Sequence, residues 1–201
     1  MLGRLIMALV LLFSVDQSFA TWSLKKDDLV EQVCKTTMDP SLCMSTLRSN
    51  PRSSSSDVKG LAHIMLEVSL RKGSDNFAQV KKLVQNASDP IVKQCLDLCM
   101  QQYDLLIDDV NEAIHYLESN SFKEANGHAG WAADDAETCE NYFIELKRRS
   151  PLKEGNNLFV HLGRVSRDII YLLQKKRGIL STDLLSLDTF RNGNSKSRLS
   201  N

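Results

Sequence analysis

Between Asp89 and Arg149 the sequence holds two long amphipathic stretches separated by the polar turn Ser119-Asn120-Ser121, and three of the five cysteines lie on them. In the first stretch Ile91, Val92, Cys95, Cys99, Leu106, Val110, Ala113, Ile114 and Leu117 recur mostly every three or four residues, the spacing of one helical face. Phe122, Ala125, Ala129, Ala132, Ala133, Ala136, Cys139, Phe143 and Leu146 resume that pattern beyond the turn. If the two helices fold back antiparallel, residues equidistant from the turn face each other. Cys99 and Cys139 each stand about twenty residues from it. Cys95 is out of level with Cys139 by about four residues, roughly 6 Å of helical rise. That is too far for a bridge with a Cα separation of about 4.4 to 6.8 Å unless the helices slide. A Cys95–Cys99 bridge is also disfavoured, because helical neighbours four apart hold their Cβ atoms about 5 to 6 Å apart where a disulfide wants about 3.8 Å. The expected bridge is Cys99–Cys139.

A bridge presumes an oxidising compartment, and the amino terminus supplies one. Arg4 precedes an apolar run from Leu5 to Val15, followed by the small residues Ser18-Phe19-Ala20. This order reads as a secretory signal peptide over 1–20, with mature protein from near Thr21. Its core is shorter than a bilayer span, and no later run reaches the length of a transmembrane helix. Five cysteines in an exported chain suggest two bridges and one leftover thiol. Cys34 and Cys43, nine positions apart around Asp39-Pro40, form the natural second pair. No histidine stands at a ligand spacing from Cys95-x3-Cys99, so no metal and no cofactor is expected.

The 25 basic and 25 acidic residues leave no net charge. Read as intermixed along the helices, they argue against nucleic acid or an anionic membrane as partner. Few glycines and prolines, 9 and 4, speak for helices over a β-sandwich.

Along the chain, short helices from Lys25 to Cys34 and Ser41 to Ser49 make a small hairpin over 21–53, closed by its own disulfide. Pro51 to Ser56 reads as a polar linker, with Ser56 or Asp57 able to cap the next helix. Val58, Leu61, Ile64, Met65 and Val68, then Phe77, Val80, Leu83 and Val84, outline the first bundle helix, with a bend or break at Gly73. Asn86-Ala87-Ser88 is an N-glycosylation acceptor in the turn before Pro90. After Arg148-Arg149-Ser150-Pro151 the fourth bundle helix spans Asn156 to Lys176, with Gly178 as its terminator. The expected fold is all-α: an up-and-down four-helix bundle over 54–177 after the hairpin, then a flexible C-terminal tail over 178–201.

No catalytic constellation emerges. The adjacent acids Asp108-Asp109 and Asp134-Asp135 diverge by about 100° on a helix and read as solvated faces. His115 falls level with Glu124, a pairing that would make surface contacts acid-sensitive. Trp131, among alanines, reads as core.

Four motifs, in order, resemble the plant invertase and pectin methylesterase inhibitor family over roughly Cys34 to Leu173. They are Cys34-Lys35-Thr36-Thr37 to Cys43-x3-Leu47 with Asn50-Pro51-Arg52-Ser53; Cys99-x3-Tyr103-Asp104; Ala132-Ala133-Asp134-Asp135-Ala136-Glu137-Thr138-Cys139-Glu140 with Phe143; and Ser150-Pro151-Leu152 with Asn156-Asn157. The resemblance implies Cys34–Cys43 and Cys99–Cys139 bridges, in agreement with the register, and leaves Cys95 as a free thiol. It implies no enzyme, but a secreted inhibitor in the apoplast or cell wall, covering the active-site cleft of pectin methylesterase or, alternatively, acid invertase as a 1:1 complex. The geometry of the middle helices nominates Gln101, Gln102, Asp108, Glu112, His115, Lys123 and Glu124 as target contacts. A reading of a different class is a secreted bundle carrying a small apolar ligand between its helices.

Overall fold

The computed structural model describes residues 28–193, with side chains through Lys176; residues 1–27, with the expected signal peptide, and residues 194–201 lie outside them. Six α-helices follow in order: α1 (Leu29–Cys34), α2 (Pro40–Arg48), α3 (Val58–Asn86), α4 (Pro90–Glu118), α5 (Phe122–Glu145) and α6 (Lys153–Gly193), with a 3-10 turn at Pro51–Ser55. No strand occurs among the described residues. Helices α3 to α6 each pack on their sequence neighbours, and α3 meets α6 to close an antiparallel bundle.

Caps set these boundaries. Asp39, Asp57 and Asp89 each accept backbone amides of the helix they precede, and Pro40 and Pro90 occupy first-turn positions where no amide is lost. The α4–α5 turn closes through Asn120, which adopts a left-handed conformation at φ 61°.

The structure corrects three local expectations. Pro51 to Ser56 is no loose linker but a turn of 3-10 helix, fastened to α3 by an Arg52–Glu67 ion pair. Gly73 does not interrupt α3. A Cβ there would stand 2.7 Å from Leu106 Cδ2 and 3.1 Å from the Phe159 ring, so the glycine is a notch that lets α4 and α6 approach. Gly178 does not end the last helix either; the backbone of α6 remains helical to Gly193. An interior glycine costs only about 1 kcal/mol relative to alanine, and leucines come after it without a proline.

Cys99 and Cys139 are bonded with Cα atoms 4.7 Å apart, and Cys34 and Cys43 with theirs 5.4 Å apart; Cys95 is free and fully buried. Burial pushes the Cys95 thiol up, away from the reactive thiolate. Beside the Cys99–Cys139 bridge a buried polar relay links all four bundle helices. Asn76 Nδ2 donates to Tyr103 Oη (3.1 Å), Tyr103 Oη donates to Asn156 Oδ1 (2.5 Å), and Asn156 Nδ2 donates to Glu140 Oε2 (2.9 Å). Burial pushes the Tyr103 phenol up to about 12, which keeps it a hydrogen-bond donor.

The α1–α2 hairpin lies across the bundle. Its turn reaches α6 twice: the Met38 amide donates to Asp168 Oδ2 (2.8 Å), and His161 Nδ1 lies 3.0 Å from Asp39 Oδ2. Residues 161 and 168 are two turns apart, hence on one face. The hairpin therefore covers α6 and leaves the outer side of α4 and α5 open.

Candidate functional site

On that open side, the nominated contacts Gln101, Asp108, Glu112 and His115 on α4 and Lys123 and Glu124 at the start of α5 are all exposed. The four on α4 recur at spacings of seven, four and three, one stripe opposite the buried face. Gln102 is half-buried, its amide 3.4 Å from Tyr142 Oη, and so faces the α5 seam. His115 does not pair with Glu124; it packs edge-on against Tyr116, with ring centroids 5.6 Å apart.

At this seam the fold assembles a cluster that periodicity does not bring together. Trp131 is 56% exposed and not core, and Leu105 on α4 is 54% exposed. The buried face of α5 runs through Ala125, Ala129, Ala132, Ala136 and Cys139, and Trp131 sits about 100° around the helix from Ala132. Its ring is nevertheless held: it meets His128 edge-on at 4.8 Å and lies 3.8 Å from where a side chain on Gly127 would begin. His128 stacks on Tyr116 at 5.3 Å and places Nδ1 2.7 Å from Asp109 Oδ1.

Asp109 and Asp135, one from each adjacent acid pair, also meet here, which corrects the view of both pairs as solvated faces. Burial first, then the charges of Asp109 and Asp134, push the Asp135 carboxyl up to about 7. Its Oδ2 is buried without a partner, an oxygen that a proton shared with Asp109 would satisfy.

The charges are not intermixed. Helices α4 and α5 carry twelve Asp or Glu against Lys93 and Lys123 alone. Helices α3 and α6, the latter counted to Lys176, carry ten Lys or Arg against Glu67, Asp75, Glu154 and Asp168. A chain with no net charge therefore presents one acidic and one basic side.

Two surface clefts stand out among the described residues. One of about 600 Å³ lies at the end of the bundle along Arg149 to Gly155, and one of about 270 Å³ lies between α5 and α6. Neither is the apolar cavity between helices that a small-ligand carrier would need. Among the described residues no His, Cys, Asp and Glu group is arranged to hold a metal ion, and no helix is long and apolar enough to cross a membrane.

These features define a disulfide-pinned helical bundle that offers an outward face. The family model for plant invertase/pectin methylesterase inhibitors matches residues 28–169, and the chain belongs to that family. It is 32% identical to a pectinesterase inhibitor of Actinidia deliciosa over 59% of its own length and 64% of that protein. It is also 32% identical to a cell wall/vacuolar inhibitor of fructosidase from Arabidopsis thaliana, over 59% of its length and 67% of the relative. The chain thus spans about two thirds of these relatives. A crystal structure of a mutant pectin methylesterase inhibitor from Arabidopsis shares the fold, with a TM-score of 0.64 at 20% identity over 71% of this chain and 95% of that one. The family is one of enzyme inhibitors, not of catalysts.

Proposed function

We propose that this chain is a secreted inhibitor of pectin methylesterase that lays its bundle over the enzyme's active-site cleft as a 1:1 complex in the cell wall. The observation that carries the reading is the likeness to the Actinidia pectinesterase inhibitor, joined to an α4/α5 surface pinned by a disulfide. Inhibition by occlusion needs a convex surface that buries about 1,600 Å². It also needs one that loses little conformational entropy on docking, and two bridged helices meet that requirement. Gln101, Gln102, Asp108, Glu112, His115, Lys123 and Glu124 are the contacts assigned to the target. Asn86, exposed at the end of α3, would direct a glycan away from the middle of that face.

Acid invertase is the second reading, and the equal identity to the fructosidase inhibitor favours it. One experiment addresses both. Oxidised mature protein is mixed with pectin methylesterase and, separately, with acid invertase at mildly acidic pH. Loss of the first activity is expected; loss of invertase activity alone moves the target to the second reading, and loss of neither at micromolar protein overturns both.

A further inference from the structure

We infer that the surface around Trp131 is a receptor for a cationic side chain, an arginine or lysine on the rim of the target's cleft. The inference rests on the inhibitor reading above and adds the chemistry of the contact. An exposed indole is the best aromatic face for a cation, and guanidinium groups stack on it by charge and by shape. Around it stand Asp109 and Asp135 at the seam and Asp134 on α5, with Asp108 and Glu112 on the neighbouring stripe of α4. Among basic side chains, Lys123 opens α5, Arg164 of α6 is paired with Glu137, and Arg167 of α6 lies along Gly130, on the buried side of the helix from Trp131.

Preorganisation separates this surface from an ordinary acidic patch. Most exposed tryptophans lose rotamer freedom on binding. Here the ring is already fixed between His128 and the bare backbone at Gly127, and His128 is itself fixed by Tyr116 and Asp109. A rigid aromatic in the middle of an interface is the usual form of a dominant contact. The surrounding carboxylates speed association with a basic partner and reject an acidic one.

The test measures the inhibition constant against whichever enzyme the wild-type chain inhibits, over a range of salt. Trp131→Ala is expected to weaken inhibition at least tenfold, with Trp131→Phe in between. Asp108→Lys combined with Glu112→Lys should weaken it about tenfold at low salt and flatten its salt dependence. Because Trp131, Asp108 and Glu112 are exposed, the helical circular dichroism spectrum should be retained in each variant, and the double lysine variant should melt no lower than wild type. Lys72→Glu on α3 should change nothing. If wild type inhibits but the Trp131 and α4 variants inhibit as well, this inference falls and the inhibitor reading stands; sensitivity to Lys72→Glu alone would likewise move the contact to the basic side and overturn it. If wild type inhibits neither enzyme, the inhibitor reading falls and takes this inference with it.

Discussion

Between α4 and α5 the contact is covalent at Cys99–Cys139 and acidic at its surface, whereas α3 meets α6 through the Gly73 notch, a close Ser69 and Ser166 approach, and a hairpin laid across them. The difference teaches what the bridge permits. Like charges on facing helices repel, and twelve acids against two lysines would weaken a pair held by packing alone. A crosslink that closes a long loop offsets that repulsion, so the exterior of α4 and α5 is free to be shaped for a partner. The α3/α6 side has no crosslink and is fastened by close packing and by the hairpin.

Removing the bridges tests this most severely. The Cys99–Cys139 bridge joins residues 40 apart and the Cys34–Cys43 bridge residues 9 apart. Loop-closure entropy then predicts a loss of about 4 kcal/mol for the Cys99→Ser, Cys139→Ser double variant and about 2.5 kcal/mol for the hairpin pair. Urea midpoints measure both. Wild type and variant alike should gain stability in about 1 M salt, where the acidic repulsion is screened. Equal losses for the two bridges, in a fold indifferent to salt, would break the comparison.

Two glycines sharpen it at the level of packing. A Cβ on Gly163 would stand 2.9 Å from Ala133 Cβ and 3.3 Å from the Ala129 carbonyl oxygen, atoms fixed to the α5 backbone. Gly163→Ala should cost about 2 kcal/mol in thermal unfolding, because α5 and α6 must separate. At Gly73 the nearest atom is the end of the Leu106 side chain. Gly73→Ala should stay within about 1 kcal/mol of wild type, since a rotating methyl and a better helix former offset the crowding. The reverse order would show that the α3 notch, and not the α5/α6 seam, is the tighter fit.

The polar relay couples both pairs. Tyr103→Phe removes one hydroxyl and leaves Asn156 Oδ1 and the Asn76 amide without their partner. A loss of about 1.5 kcal/mol is expected, more than deletion of an exposed hydrogen bond gives. An unchanged melting temperature would mean the relay is not closed in solution.

Much of the fold is legible in the residues, and the features that are not share a cause. Periodicity, the capping aspartates and the turn at Asn120 are local signals, so the bundle and its hairpin can be read directly. Register about that turn places Cys139 level with Cys99, and the bond lies there. The same register holds Asp109 and His128 about ten and nine residues from the turn. Matching His115 with Glu124 instead fails because level alone does not say which side of the helix a residue occupies. Alanine neighbours suggest a core position for Trp131, where a count of about 100° per residue from Ala132 turns it outward. Gly73 and Gly178 read as interruptions because a glycine's role depends on what approaches it, and at Gly73 the approaching Leu106 and Phe159 are distant in sequence. Neither the hairpin's contacts with His161 and Asp168 nor the meeting of Asp109 with Asp135 leaves a local trace.

The acid cluster offers the smallest but most specific prediction, since it couples stability to neutral pH. Asp135 has a folded-state value of about 7, raised above the unfolded value of about 3.9. Its contribution is therefore fully present below about pH 4 and is lost as pH rises through about 7. Asp39 and Asp89 have the opposite sign. The Leu42 amide and the Arg148 guanidinium, respectively, hold them below the usual carboxylate range, so their contributions fade only as pH falls below about 4. Between about pH 4 and 7.5 the wild-type melting temperature should decline. Asp135→Asn, which keeps a donor toward Asp109 without the charge, should flatten that slope, matching wild type at about pH 4 and exceeding it by on the order of 1 kcal/mol at about pH 7.5, the full shift being discounted for partial exposure. A variant that tracks wild type across the whole range would show that Asp109 and Asp135 ionise independently, and the contrast between the two sides of the bundle would then rest on charge count and the bridge alone.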